Sequence, residues 1–202
     1  KRVEEERRLN EARFASLYRI SQQRVEVEQD FLDFALHEAL VLTGSRYGYI
    51  YFYDEGVREF TLNSWSRDVM ADCAVREPKS CYELDKTGIW GEAVRQRRSI
   101  LINDFAATHP LKKGYPRGHV PLRRFLTVPV MRGEAVIAVV GVAMPPVTGA
   151  LFTGAAAKRL AHLWRVGRPA RTAGRSAAFA GSWPGPSRGR RSSRCRGSRG
   201  SR

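Results

Sequence analysis

A chain of 202 residues with a formal net charge of +15 has room for one folded domain with appendages, or for two small domains. Its longest apolar run, Ala135 to Val147, is shorter than the ~20 residues a membrane-crossing helix needs and is broken by Gly141, Pro145 and Pro146, so it reads as a buried strand. Three cysteines (Cys73, Cys81, Cys195) are too few for a disulfide framework and form no CxxC metal pair, which points to a reducing cytoplasm.

The charge is concentrated at one end. Glu134 is the last acidic residue; the sixty-eight residues after it hold thirteen Lys and Arg, whereas the first 134 hold 22 basic and 20 acidic side chains. Function should therefore be read from the near-neutral part. The opening, Lys1 to Arg8, is highly charged and leads into no secretory apolar stretch, and without an initiator Met the sequence is expected to be an excerpt of something longer.

In chain order, residues 1–29 read as a leading helix in which Glu4-Glu5-Glu6 precede Arg7-Arg8 at helical neighbour spacing. Leu17, Ile20, Arg24, Val27, Phe31 and Phe34 follow steps of three and four, a short coiled-coil-like seam that predicts parallel dimerisation. Asp30 is the expected N-cap of a core helix running to Leu42 and stopped by Thr43-Gly44-Ser45.

A strand follows from Tyr47 to Tyr53, with Tyr47, Tyr49, Tyr51 and Tyr53 on one side and Ile50 and Phe52 on the other. Asp54-Glu55-Gly56 turns the chain into an antiparallel partner, Glu59 to Ser66. Arg67 to Cys81 carries no clear period.

Thr87 is expected to cap a helix from Gly88 to Arg98, with Glu92 and Arg95 on its wet side. Ser99 to Ile102 is a brief strand. Phe105 to Val120 is a loop long enough to suggest a role of its own. Phe125 to Met131 and Ala135 to Ala143 form a hairpin around Arg132-Gly133, and a last helix runs from Gly154 to about Trp164 with Leu160 and Leu163 inward. The fold class is α+β, and no glycine-rich phosphate loop is present.

The segments Gly88-Ile89-Trp90-Gly91-Glu92-Ala93-Val94-Arg95, Ile102-Asn103-Asp104, Lys112-Lys113-Gly114-Tyr115-Pro116, Gly118-His119-Val120-Pro121-Leu122, Phe125-Leu126-Thr127-Val128-Pro129-Val130 and Val139-Val140-Gly141-Val142-Ala143 occur in a recognisable order. With Leu42 to Ser45 and Phe60 to Ser66, they resemble the GAF domains of bacterial sensory proteins, especially sensor histidine kinases and diguanylate cyclases, over roughly Arg24 to Ala143. The resemblance implies an antiparallel sheet of five or six strands, terminal helices on one face and a pocket-forming loop with a short helix on the other. It also implies that the leading helix carries signals to an output domain. No cofactor follows from it, because relatives differ in their ligands.

The division is then a signalling helix (1–29), a GAF domain (30–164) and an Arg/Ser/Gly-rich tail (165–202) too poor in apolar residues to fold alone. The candidate ligand-binding residues are Trp90, Asn103, Asp104, Lys112, Tyr115, His119 and Arg124. The cations suit an anionic or carboxylate group, and Trp90 or Tyr115 a planar one. The expected partners are an unidentified small molecule and a second copy of the chain.

Nucleic-acid binding through the tail is the alternative binding reading. The preferred reading of the tail is a shifted reading frame near Trp164, since GC-rich codons read out of frame yield such a composition; the nucleotide sequence decides. An enzyme reading, a cysteine-dependent reductase of methionine sulfoxide, would rest on Cys73 or Cys81, and no paired-carboxylate or Ser-His-Asp arrangement supports other catalysis.

Overall fold

The computed structural model describes residues 2–23, 28–72, 80–113, 119–145 and 151–166. The tail from 167 onward, and Arg24, Val27, Cys73, Tyr115 and Cys195 among the residues considered above, lie outside them.

Six strands form one antiparallel sheet: β1 (Tyr47–Asp54), β2 (Glu59–Trp65), β3 (Cys81–Glu83), β4 (Ile100–Ile102), β5 (Arg124–Arg132) and β6 (Ala135–Met144), in the order β3-β2-β1-β6-β5-β4. The long central strands β1, β6 and β5 are rich in aromatic and β-branched residues, which suit a pleated, half-buried surface. Period-two alternation sorts their side chains. Ile50, Leu126, Val128, Val140 and Val142 face one way, and Tyr47, Tyr51, Phe125 and Val139 the other.

Three helices cover the aliphatic face: α1 (Arg2–Gln22), α2 (Glu28–Thr43) and α5 (Gly154–Val166). Ala35, Leu36 and Ala39 of α2 and Ala156, Ala157, Leu160 and Leu163 of α5 are buried against it, as the expected inward pair on the last helix requires. Thr153 caps α5, its Oγ1 accepting the Ala156 N–H at 3.2 Å. Helix α2 lies close because β1 has no side chain at Gly48, where a Cβ would stand 3.0 Å from Leu36 and Leu40.

Helices α1 and α2 form a hairpin, and α1 ends at Gln22, short of the expected residue 29. Arg19 Nη2 lies 2.6 Å from Glu38 Oε2, whereas nineteen residues along a straight helix would separate them by ~28 Å. Within this hairpin Ile20 is buried in the core, and Leu17, Phe31 and Phe34 pack against it. The three-and-four spacing is therefore used for intramolecular packing; it could not tell a partner helix from the chain's own core. Asp30 is also not an N-cap, because α2 begins two residues earlier and places it in the first turn.

The other face carries short elements: α3 (Arg67–Asp72), two 3₁₀ turns (Leu84–Lys86 and Ile89–Gly91) and the single-turn α4 (Glu92–Arg95). The Gly88 to Arg98 helix expected from sequence is thus largely absent. Thr87 does not cap it; its hydroxyl donates to Leu84 O at 2.6 Å and is buried. Nor is Glu92 on a wet side: it is buried and paired with Arg95 at 2.5 Å, while Arg95 Nη2 also donates to Leu84 O and Thr87 O. A guanidinium serving several carbonyls reinforces the short backbone bonds of these turns, Thr87 N to Leu84 O and Gly91 N to Gly88 O.

Candidate functional site

Beneath these short elements lies a cavity of about 460 Å³, within the range of small-molecule sites. Its floor is the sheet: Tyr47, Tyr49 and Tyr51 from β1, Phe125 from β5 and Ala143 from β6. Tyr82 of β3, Trp65 of β2 and the Thr87–Trp90 turn form one wall. Phe105, Lys112, Lys113, His119, Val120 and Leu122 close it from the long loop.

Two local features open this space. A β-bulge at Asn63 lets Tyr51 pair with Leu62 and Ile50 with Ser64, so Trp65 turns toward the cavity and Ser64 toward α2, where its Oγ lies 2.5 Å from Asp33 Oδ1. On β6 a Cβ at position 141 would stand 2.1 Å from the Tyr49 ring, so Gly141 is what allows that ring to lie flat on the sheet. Tyr49 OH then reaches Thr127 Oγ1 at 3.3 Å.

The aromatic groups touch one another. Trp90 is the hub, with ring centroids 5.2 Å from Tyr51, 5.5 Å from Tyr82 and 4.7 Å from Phe60. Burial holds the Tyr49 and Tyr51 phenols far above the ordinary tyrosine range, so both stay neutral donors. Tyr47 is raised more modestly, by burial and by its hydrogen bond to Asp72 at 2.9 Å.

The cavity rim is cationic. Lys86, Lys112, Lys113 and His119 line it, Lys86 being ion-paired with Glu83 at 2.7 Å, and no Asp or Glu is among the described lining residues. Lys112 Nζ donates to the carbonyls of Phe105 and Ala107 and sits 4.5 Å from the Phe105 ring centroid, tying the loop over the cavity. Lys113 Nζ donates to Asp85 O at 2.7 Å, and His119 Nδ1 lies 2.7 Å from Val120 O. These bonds fix the ammonium groups in place and leave their charge.

Of the residues singled out from sequence, Trp90, Lys112 and His119 meet at the cavity. Asn103, Asp104 and Arg124 do not. Asn103 clamps the backbone of Phe152 by two bonds of 2.8 Å, tying the loop to the start of α5. Asp104 Oδ1 accepts the N–H groups of Ala106 and Ala107, a turn-forming role. Arg124 points to the helix side, with Nη1 3.9 Å from Met144 Sδ. Its position one residue before Phe125 places it on the opposite face of the strand.

The sequence reading missed Tyr82, Lys86 and Phe125. Tyr82 belongs to a three-residue strand too short to show alternation, but Phe125 could have been found by extending the β5 alternation back from Val128. Cys81 is half-buried on β3, paired with Thr61, and is not among the lining residues. Among the described residues, no three His, Cys, Asp or Glu side chains gather to hold a metal ion. No described helix is long and apolar enough to cross a membrane.

Comparison with known proteins follows the same outline. The GAF domain family description matches residues 26–161. A curated relative, the methyl sulfide methyltransferase-associated sensor of Methanosarcina acetivorans, is 42% identical over 142 residues, 70% of this chain. The match spans only 14% of that relative's length. Among solved structures, the GAF domain of an Acinetobacter phosphoenolpyruvate-protein phosphotransferase superposes with a TM-score of 0.59 at 19% identity, covering 78% of this chain and 88% of that one. The free methionine-R-sulfoxide reductase of Neisseria meningitidis gives 0.60 at 15% identity, covering 79% and 85%. At such identities the shared feature is the fold.

Proposed function

Because the chain belongs to the GAF domain family, and its relative is a sensor, we propose that it is the ligand-sensing module of a longer signalling protein and is not itself catalytic. The ligand is a planar, largely apolar molecule carrying an anionic edge. The observation that carries this reading is the aromatic cavity with a lysine-bearing rim and no carboxylate among its described lining residues. Tyr51, Tyr82 and Trp90 present ring faces and edges for stacking, and the Lys112 and Lys113 ammonium groups present positive charge at the rim.

Occupancy would press on the loop that Lys112 ties down. Asn103 connects the same loop to Phe152 and so to α5. That route gives a bound molecule mechanical access to the terminal helices, through which a neighbouring output domain, a kinase or a cyclase, would be biased. A cytoplasmic setting fits such a role.

Pairing of two copies through α1 would use the exposed Phe14 and Tyr18 instead of the buried Ile20 seam. Sedimentation of the full chain and of a Phe14→Ser, Tyr18→Ser variant checks this; a dimer that persists in the variant excludes that surface.

The test of the sensing role is calorimetric titration with flavin mononucleotide, indole-3-carboxylate and benzoate, alongside their uncharged amide or riboflavin counterparts. The anions are expected to bind more tightly than the neutral forms, and Lys113→Gln to narrow the gap. Structural likeness to sulfoxide reductases leaves one competing activity to measure. Turnover of free methionine sulfoxide that Cys81→Ser or Cys73→Ser abolishes would replace the sensing account.

A further inference from the structure

The terminal helices meet at two charged junctions, and they differ. Between α1 and α2, Arg19 Nε and Nη2 hold the Glu38 carboxylate at 2.9 and 2.6 Å. Between α1 and α5, which pack together, Arg13 and Arg159 lie near enough for their like charges to interact. Both Nε atoms are buried, and neither has a hydrogen-bond acceptor among the described residues.

Arg159 loses basicity through burial and then through the neighbouring charge of Arg13. The contact found for Arg13 is with the ring of Phe14, 5.6 Å from its guanidinium carbon. Helix α5 adds Lys158 and His162 and contains no carboxylate from Gly154 to Val166. Nothing described on either helix balances the pair.

Desolvated donors without acceptors are costly, and adjacent like charges add repulsion. A small oxyanion removes both costs, since its oxygens match the guanidinium fork. Arg13 and Arg159 are each half-buried and not sealed, so such an ion can reach them from solvent.

We propose that the junction of α1 and α5 is a binding site for a small oxyanion, of the phosphate, sulfate or free carboxylate class, held between the guanidinium groups of Arg13 and Arg159. The site lies on the helix-covered face of the sheet, opposite the aromatic cavity, and is independent of what that cavity binds. Its occupant ties the first described helix to the last, so anion concentration sets how firmly the two ends of the domain are joined.

Thermal unfolding of the full chain decides the matter, in potassium phosphate and in potassium chloride at matched pH and ionic strength, with an acetate series beside them. Phosphate is expected to raise Tm saturably beyond chloride. Arg13→Gln and Arg159→Gln should each weaken its apparent affinity by about tenfold or more, the loss of one charge-assisted contact. Lys158→Gln should leave it unchanged. The eleven arginines from Arg165 to Arg202 are present in every variant, so their own anion binding cancels.

A second readout has the opposite sign. In chloride alone, Arg159→Gln should raise Tm, because it removes one of two uncompensated charges; an arginine that only packs would lower it. Equal phosphate stabilisation in all variants would overturn the site, as would a phosphate effect no larger than that of chloride. Phosphate-independent stabilisation that grows with protein concentration would also overturn it, showing a carboxylate of a second copy in place of the free ion.

Discussion

The two faces of one sheet are packed by different rules. On the helix side, Ile50, Leu126, Val128, Val140 and Val142 meet alanines and leucines of α2 and α5 in a close aliphatic layer. On the other side, tyrosines, Phe125 and Trp90 meet only turns, a loop and the two short helices α3 and α4, and a 460 Å³ space remains. Small and branched side chains interdigitate to native density, whereas rigid rings held edge to face leave room between them. Stability and recognition can therefore be altered separately.

The largest expected effect is on the helix side. Leu160 is fully buried in α5, and Leu160→Ala should cost about 2–5 kcal/mol by urea unfolding. A loss well below that range would mean that the helix layer is loosely seated and the contrast between faces is weaker than described.

On the aromatic side, Gly141→Ala forces Tyr49 off the sheet and into the cavity. Overpacking of that kind should cost about 1–3 kcal/mol and should reduce ligand affinity more than any aliphatic-side substitution of equal cost. Retained affinity at reduced stability would show that Tyr49 does not border the binding space.

The Arg19–Glu38 pair should have an effect of similar size, since Arg19 is about half exposed (47%) while the Glu38 side chain is almost fully covered (5%). Arg19→Gln should cost about 1–3 kcal/mol through the carboxylate it leaves behind. Burial alone would raise the Glu38 pKa, but hydrogen bonds from Arg19 and Ser16 and the charges of Arg19 and His37 bring it below the ordinary value. The group then contributes stability above the usual ~4.3 of a glutamate and loses it as pH falls through the lower folded value. Wild type and Glu38→Gln should therefore converge in stability as pH drops below about 4. Curves that stay parallel through that range would remove Glu38 as the cause.

The smallest effect is alkaline. Tyr49 and Tyr51 are raised by burial, so their stabilisation is complete below the unfolded value of ~10 and is lost as pH rises above it. Ultraviolet titration should find these two silent until the domain unfolds; normal ionisation of all seven tyrosines in the folded protein would mean the cavity floor is wet.

The same division explains what the sequence reveals. Strand β1 is legible from its period-two alternation and β6 from its long apolar run, and the tyrosine face of β1 is where it was expected. Leu160 and Leu163 are legible for the equivalent helical reason. The covering of the aromatic face is not periodic. Thr87 and Arg95 are held by side chain-to-backbone bonds among turns and Glu92 by the side chains of Arg95 and Gln96, so a pattern read as one helix becomes one 3₁₀ turn and four α-helical residues.

Asn103 and Asp104 looked like ligand contacts because amide and carboxylate groups serve binding and turn-making equally; only their backbone partners separate the roles. Leu17 and Ile20 looked like a dimer seam because an intramolecular hairpin and an intermolecular coil share one spacing.

The most direct measurement of the central claim uses 8-anilinonaphthalene-1-sulfonate, an apolar aromatic anion that fluoresces in dry sites. Titrated into the folded chain, with near-ultraviolet circular dichroism recorded to show that packing is intact, it should bind saturably at one site. Trp90→Ala should weaken that binding about tenfold, as expected for the loss of a stacked ring, and Leu160→Ala should leave it nearly unchanged at temperatures where the domain stays folded. Unsaturable binding to the wild type, or equal affinity in wild type and Trp90→Ala, would contradict the assignment of the aromatic face as the ligand-binding face.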